Sequence, residues 1–162
     1  MTVYYNGVHS VKFGEYDSWK DFHLIPVSRP VINPPLERTS FVTIAGRSGK
    51  LDLSWALTGK PVYDNRTGSI EFYVDHNQWK DWITAYTAIL EALQGKRMQV
   101  VLSDDPDYYY EGLCYVDKWS SDERSSKISI KYDLSPSKKL LSSITDTWTW
   151  DSLESQDKQK KL

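Results

Sequence analysis

One amphipathic helix limits the folds open to this chain, because the remaining sequence alternates in the manner of strands. The predicted helix runs from His76 to Gly95. Gly95 ends it, since glycine readily takes the left-handed conformation that follows a helix, and Lys96 and Arg97 suit the negative end of the helix dipole. A helix with an apolar stripe needs a sheet to pack against. The stripe residues recur three and four positions apart and are Trp79, Trp82, Ile83, Tyr86, Ile89, Leu90 and Leu93.

The rest of the chain predicts about seven or eight strands, joined mostly by hairpin-like turns. We expect the Phe41 to Ala45 strand to be covered on both faces, because it is apolar throughout. The predicted fold class is mainly β with one helix (α+β), an antiparallel β-sandwich or barrel with the helix packed on it. The strands or extended runs are Val3 to Tyr5 and Val8 to Phe13 around an Asn6-Gly7 turn, Phe22 to Val27, Phe41 to Ala45, Ser69 to Val74, Met98 to Leu102, Tyr108 to Trp119 and Ile128 to Leu134.

The chain has 162 residues, which fits one domain. We predict a domain over residues 1–136, because Pro136 closes the last alternating run, and a C-terminal extension over residues 137–162 with no domain of its own. The net charge of −2 argues against a protein that grips nucleic acid through a basic face. No apolar run reaches the roughly 18 residues of a membrane span, and no signal peptide pattern opens the chain, so we expect a soluble, unexported protein.

No pattern in the sequence predicts catalysis, a metal or a cofactor. His9, His23 and His76 stand singly, and Cys114 lies in an alternating strand as a buried thiol would. The Gly46 to Lys50 segment lacks the spacing and hydroxyl of a nucleotide-binding loop. The acidic segment from Asp104 to Asp107 lacks the glycine and distant glutamate of a calcium-binding loop, and Pro106 indicates a turn there. An enzyme is the least supported class.

Aromatic residues exceed what one core of this size needs, with seven tryptophans and eleven tyrosines. We expect the tyrosine run to face the core and its hairpin partner. The surplus fits either a protein interface or sugar-stacking platforms, so a carbohydrate-binding β-sandwich is an alternative function. The candidates are Trp19, Tyr63, Tyr108, Tyr109, Tyr110, Trp119, Trp148 and Trp150.

Four segments in a fixed order resemble the siphophage distal tail protein (Dit) family, in its N-terminal domain. They cover roughly residues 3 to 136. The segments are Gly46-Arg47-Ser48-Gly49-Lys50-Leu51-Asp52, then Leu57-Thr58-Gly59 with Tyr63 and Asn65-Arg66, then the Trp79 helix closing at Gly95-Lys96, and finally Asp104-Asp105-Pro106-Asp107-Tyr108-Tyr109-Tyr110-Glu111-Gly112.

The resemblance implies a non-enzymatic structural protein of the virion, located at the tip of a long non-contractile tail and assembled in the host cytoplasm. In this family a β-sandwich-like domain with a helix forms a ring of six copies. Its implied partners are the tail tube protein, the tail-associated (Tal) hub protein and the tape measure protein, with phage DNA passing through the lumen without specific binding. No membrane partner is implied. A tail-tube or tail-completion protein of the same fold family is an alternative.

Proline-rich and glycine-rich loops are the expected contacts between copies, because a closed ring needs surfaces that reach a neighbour. We expect the Trp148 and Trp150 segment to dock on a neighbouring copy or on the hub protein, since it has no domain of its own to pack against. The expected subunit-interface residues are Arg29, Pro34, Pro35, Arg47, Asp52, Tyr63 and Arg66.

Overall fold

The computed structural model describes residues 9–75, 81–123 and 125–141. Strands dominate these residues, and one helix lies between the sixth and seventh strands. The elements are β1 Val11–Phe13, β2 Tyr16–Asp17, β3 Leu24–Pro26, β4 Phe41–Thr43, β5 Lys50–Asp52, β6 Arg66–Val74, α1 Trp82–Leu93, β7 Arg97–Leu102, β8 Asp105–Ser121, β9 Ser126–Leu134 and β10 Lys139–Leu140.

The main sheet is antiparallel and curls into a half-barrel. Its strand order is β2-β1-β7-β8-β9-β6-β3, and β10 pairs with the beginning of β8. The strands β4 and β5 pair only with each other and form a separate two-stranded sheet. With 46% strand and a helix against one face, the predicted α+β class and antiparallel sandwich or barrel architecture are confirmed.

Alternating burial along the central strands places the core on one face of the main sheet. Every second residue of β9 is buried, from Ser126 to Leu134. The same alternation in β6 buries Ile70, Phe72 and Val74, as the sequence predicted. These residues face the same side because β6 and β9 pair in register, with Ile70 opposite Ile130. The alternation of the two strands therefore sets which face of the sheet α1 covers.

A register shift in β8 carries Trp119 to the core side of the sheet. Val116 lies opposite Ile130, but Trp119 lies opposite the next inward residue, Ile128, because the pairing shifts between Val116 and Lys118. Trp119 packs at the edge of the core, where Tyr86 of α1 meets it edge-on with ring centroids 5.4 Å apart. The shift therefore gives β8 an aromatic contact with the helix.

The C-terminal end of α1 has the predicted chemistry, but the helix begins at Trp82 and not at His76, since Asp81 is extended. The Asp81 side chain caps the N-terminus by accepting the N–H of Thr84 at 2.8 Å. At the other end Gly95 has the expected positive φ of 72°, and the Lys96 ammonium donates to the carbonyl oxygen of Glu91 at 2.8 Å. The predicted first residues, 76–80, lie outside the described residues.

The predicted apolar stripe of α1 is rotated from the face that packs on the sheet. Ala85, Ile89, Ala92 and Leu93 are the buried residues, whereas Trp82 and Ile83 are about half exposed. Of the predicted stripe, Ile89 and Leu93 are buried as expected, and Trp82, although half exposed, has its ring centroid 6.4 Å from that of Trp119 in β8. The expectation that Ile83 belongs to the inward stripe is wrong, because Ile83 is 48% exposed.

The prediction that the strand from Phe41 to Ala45 is covered on both faces is also wrong. All residues of β4 are exposed, and Phe41 itself is 53% exposed. The strand belongs to a projecting hairpin that pairs with no strand of the main sheet, so the main sheet does not bury its apolar residues.

The three tyrosines of the run at the beginning of β8 lie in three different environments. Tyr110 belongs to the core, Tyr109 is buried on the other face, and Tyr108 is 38% exposed beneath the Lys138 ammonium. The strand β8 also begins at Asp105, earlier than predicted, so the turn before it is shorter. The expectation that the whole run faces the core and its hairpin partner therefore holds only in part.

Some of the predictions for the beginning and end of the chain fall outside the described residues. The predicted Asn6-Gly7 turn lies outside the described residues, and β1 pairs with β2 and β7. Pairing continues past the predicted domain boundary at Pro136, since β10 lies beside β8. The boundary itself stays a prediction. No helix within the described ranges is both long and apolar enough to cross a membrane.

Gly112 lies at a point of β8 where the main chain of β9 approaches closely. A Cβ built at this position meets the backbone oxygen of Asp133, and lies 2.8 Å from the Cα of Leu134. Both are main-chain atoms of the paired strand, so they cannot move aside as the end of a flexible side chain can.

We predict that Gly112→Ala lowers the free energy of unfolding by about 2 to 3 kcal/mol, because β9 must shift to admit the methyl group. Chemical denaturation measures the change. Ser120→Ala, on an exposed part of the same strand, serves as the control and changes stability by less than about 0.5 kcal/mol. Equal stability of the two variants would contradict the close approach.

Candidate functional site

A long insertion between β3 and β6 projects from the half-barrel. We call residues 33–65 the arm. It contains β4 and β5, whose register places Phe41 opposite Asp52 and Thr43 opposite Lys50. Nearly every residue from 36 to 60 is exposed. The arm therefore offers a surface that the rest of the described chain does not cover.

Hydrogen bonds at both ends of the arm hold it to the sheet. The Asn33 N–H donates to the Tyr132 hydroxyl at 2.8 Å, and the Asn33 side chain donates to the Thr67 carbonyl oxygen at 3.0 Å. At the other end the Asn65 amide donates to the Asp133 carboxylate at 2.8 Å. Burial raises the pKa of the Tyr132 phenol, so the hydroxyl stays neutral in its place at the base.

Arg66 ties the beginning and end of the arm to the C-terminal part of the fold. Its Nε donates to the Pro136 carbonyl oxygen at 2.9 Å and its Nη1 to the Asn33 carbonyl oxygen at 3.2 Å. The guanidinium also lies 5.3 Å from the centre of the Tyr110 ring. All three contacts are within the chain, so Arg66 sets where the arm leaves the sheet.

Two antiparallel segments form the neck of the arm above this base. The Arg38 N–H donates to the Val62 carbonyl oxygen at 2.7 Å, and the Asp64 N–H donates to the Leu36 carbonyl oxygen at 2.9 Å. The Arg38 guanidinium adds a bond from Nε to the Asp64 carboxylate at 2.9 Å. The neck thus has main-chain pairing of its own and behaves as a narrow two-stranded ribbon.

A compact loop over residues 53–60 lies beside the neck. The Trp55 indole donates to the Glu37 carboxylate at 2.6 Å, and the Gly59 N–H donates to the Trp55 carbonyl oxygen at 2.8 Å. This turn leaves Leu57 at the tip of the loop with its side chain fully exposed. The loop is therefore ordered by polar bonds while its apolar side chains face outward.

The arm concentrates exposed apolar side chains that no other described residue covers. Scattered exposed apolar residues are normal, but a contiguous set in one projecting element marks a site of association. Trp55 is 52% exposed, although tryptophan is among the residues that contribute most when interfaces bury them. The set comprises Leu36, Phe41, Val42, Ile44, Leu53, Trp55, Leu57 and Tyr63.

The charges on the arm are placed around these apolar residues. Hydrogen bonds from the hydroxyl and N–H of Ser54 lower the pKa of Asp52, so this carboxylate is ionised at neutral pH. The turn between β4 and β5 carries Arg47, β5 begins with Lys50, and the loop over residues 53–60 carries Lys60 as its one charged residue. An apolar surface with charges at its edge is typical of protein interfaces.

The structure brings some of the predicted interface residues together on the arm. Arg47 lies in the hairpin turn, Asp52 in β5, and Tyr63 in the neck, where it pairs with Glu37 and is 46% exposed. Pro34 is exposed and Pro35 half-buried near the base. Their roles in an interface stay predictions.

The other predicted site residues lie elsewhere. Arg29 is outside the arm, beside a surface hollow also lined by Ser69 and Glu71. Arg66 is engaged within the chain, as described above. The predicted docking residues Trp148 and Trp150 lie outside the described residues.

The sequence reasoning missed the apolar residues of the arm. The alternate spacing of Leu53, Trp55 and Leu57 would indicate a strand, whereas these residues lie in a loop after β5, so the spacing does not reveal their exposure. The sequence predicts a buried strand at Phe41. The sequence does not reveal that the β4–β5 hairpin pairs with no strand of the main sheet.

The residues considered for catalysis or metal binding are buried in the fold or contact other residues of the chain. Burial raises the pKa of the Cys114 thiol to about 12, which keeps it protonated and unreactive. His9 lies 3.0 Å from the Asp104 carboxylate, and His23 meets the Trp19 ring edge-on. Within residues 9–75, 81–123 and 125–141, no group of three or more His, Cys, Asp or Glu side chains is arranged to hold a metal ion.

The fold described here, a curled antiparallel sheet with one helix, is similar to that of a solved phage distal tail protein. The structure of SPP1 Dit (gp 19.1) is similar with a TM-score of 0.60 at 17% sequence identity, and the match covers 81% of this chain and 51% of SPP1 Dit. The chain thus spans about half the length of that protein, which is described as a paradigm of the hub adsorption apparatus in phages that infect Gram-positive bacteria. The resemblance expected from the sequence is confirmed in fold.

In sequence comparisons the chain matches no known protein family and no curated protein.

We predict that Arg66→Ala loosens the arm, because the variant loses two hydrogen bonds and the contact with the Tyr110 ring. The free energy of unfolding should fall by about 1 to 2 kcal/mol. Hydrogen–deuterium exchange should also become faster at the amides of residues 33–65.

Arg47→Ala is the matched control, since this arginine is exposed in the hairpin turn. It should leave stability within about 0.5 kcal/mol of the parent and the exchange of residues 33–38 unchanged. If Arg66→Ala also leaves that exchange unchanged, Arg66 does not hold the arm.

Proposed function

We propose that this chain is a structural protein of a phage tail, a distal tail hub that assembles into a ring of six copies at the tip of a long non-contractile tail. Support comes from the fold it shares with SPP1 Dit and from the order of the four sequence segments that resemble the Dit family. The ring would join the tail tube to the tail-tip hub and would be assembled in the host cytoplasm.

The observation that carries the proposal is the exposed apolar arm. A closed ring of identical copies uses heterologous contacts, in which one surface of each copy meets a different surface of the next. A projecting ribbon with a held base reaches a neighbour without disturbing the core. The exposed Phe41, Trp55 and Leu57 side chains supply apolar surface for such a contact.

The composition of the arm favours a protein partner over a carbohydrate. Sugar rings stack on flat aromatic faces, whereas Leu36, Val42 and Leu57 present branched aliphatic side chains. The Trp55 indole N–H, which a sugar hydroxyl would need as a donor, is already bonded to Glu37. The arm therefore supports an interface, and the proposed role is non-enzymatic.

The proposed partners follow from the place of a hub in a tail. They are the tail tube protein on one side, the tail-associated (Tal) hub protein on the other, and the tape measure protein inside the lumen. Phage DNA would follow the tape measure. The net charge of −2 supports passage without tight binding, because a channel that neutralised phosphates would retain DNA.

The C-terminal extension is proposed to dock through Trp148 and Trp150 on a neighbouring copy or on the hub protein. The described chain reaches Leu141 just after β10, beside the beginning of β8. Removal of residues 142–162 keeps β10 and should weaken ring or hub assembly in a native mass spectrum. Assembly equal to that of the full chain would refute this docking.

For the ring itself, we predict a closed species of about 113 kDa in native mass spectrometry, corresponding to six copies of the 18.8 kDa chain. Phe41→Glu should lower the association constant at least about tenfold, because it places a charge in the apolar surface of the arm. Circular dichroism should stay unchanged, since Phe41 is 53% exposed in the single chain.

Tyr115→Glu is the control, because Tyr115 is 38% exposed on β8 and lies off the arm. This variant should keep the full association constant. A ring that survives Phe41→Glu unchanged would contradict a role for the arm, and a stack of many rings would favour the tail-tube alternative.

A further inference from the structure

A second exposed apolar surface lies on α1, away from the arm. The outward side of the helix carries Ile83, which is 48% exposed. Beside it is a shallow depression of about 350 Å³, lined by Ile83, Thr84, Thr87, Ala88 and Glu91. Its lining is mostly apolar, and its small side chains leave room for the side chain of another molecule.

The loop over residues 53–60 of the arm offers an apolar side chain to such a surface. Leu57 is fully exposed at the tip of the loop, held there by the turn that Trp55 and Gly59 close. Packing of Leu57 against Ile83 and the small side chains beside it would remove apolar surface of both from water.

Their charges are also complementary. Lys60 is the one charged residue of the loop over residues 53–60, and Glu91 is the one charged residue of α1. Neither side chain forms an ion pair with another described residue. An exposed cation near Leu57 and an exposed carboxylate at the depression give opposite charges to the two surfaces.

Other exposed surfaces match the arm less well. On the outward face of the main sheet, Lys127 is paired with Glu71 at 2.9 Å and Lys131 with Asp117 at 2.9 Å, so these charges are already balanced. The hollow beside Ser69 is mostly polar and carries Arg29, a cation like Lys60. Neither offers an apolar recess with a free carboxylate.

We propose that the outward side of α1 receives the arm of an adjacent copy of this chain, with Leu57 seated in the depression between Ile83 and Ala88 and Lys60 next to Glu91. This inference rests on the proposed ring and adds the surface that the arm meets. It assigns α1 two roles, since Ala85 and Ile89 pack on the sheet while the opposite side binds the neighbour.

Cysteine cross-linking of the full chain tests the contact. Leu57→Cys and Ile83→Cys are introduced together, and the protein is oxidised at a concentration where native mass spectrometry detects the ring. The expected result is a ladder of covalent dimers and larger species. Cys114 does not interfere, because it is only 1% exposed.

Leu57→Cys with Ser69→Cys is the matched control, since it tests the hollow beside Arg29 instead. This pair should give no ladder. Each single variant should stay monomeric on a denaturing gel, whereas a mixture of the Leu57→Cys and Ile83→Cys variants should give dimers alone. That last result follows because the two surfaces belong to different copies.

Charge reversal gives a second, independent measurement. Glu91→Lys should weaken association roughly fivefold, and Lys60→Glu in the same chain should restore it. Arg47→Glu, elsewhere on the arm, should not restore it.

The outcomes separate the two proposals. A native ring without the Leu57–Ile83 cross-link and without rescue by Lys60→Glu overturns the α1 contact but leaves the hub function standing. A chain that stays monomeric at every concentration overturns both.

Discussion

Main-chain pairing along the 17 residues of β8 is the constraint on which the rest of the structure depends. The strand pairs with β7 on one side and with β9 and then β10 on the other, so every other strand of the main sheet is placed directly or indirectly by it. The helix α1 packs on the same strand. Gly112 permits the close approach of β9 at the centre of this pairing. The helix α1 completes the core on one face of this sheet, and the β4–β5 hairpin pairs with no strand of it.

The uncovered arm is the physical link from fold to function. Its base is held by polar bonds around Arg66 and Asn33, which use donors and acceptors that would otherwise remain unpaired. Its outer part exposes apolar side chains such as Trp55 and Leu57 to water. Hydrogen bonds thus hold an apolar ribbon in water, where its exposure is unfavourable. Burial of the ribbon by another molecule would remove that unfavourable exposure. The proposed association of copies would supply such burial, with the free energy coming mainly from apolar surface removed from water.

The sequence predicted the central strands well because their burial alternates with period two, as at Ile70, Phe72 and Val74. It could not predict the environment of Phe41, since an apolar strand that a sheet buries and one in a projecting hairpin have the same pattern. The burial of Ala85 and Ala92 in α1 is not evident from the sequence, because large residues dominate a hydrophobic stripe and alanine contributes little to it. Arg66 is predicted as a subunit-interface residue, and no pattern in the sequence indicates that it also donates to carbonyl oxygens of its own chain. The two residues of β10 are too few for any periodicity to reveal.

The central claim is that this chain functions by assembling through its arm. A cryo-electron microscopy reconstruction of the assembled full chain tests this claim most directly, because it locates residues 36–63 relative to the neighbouring copies. The account predicts a closed ring in which Phe41, Trp55 and Leu57 are buried against the adjacent copy. A ring held together by the edges of the main sheet, with the same three side chains in solvent, would contradict it.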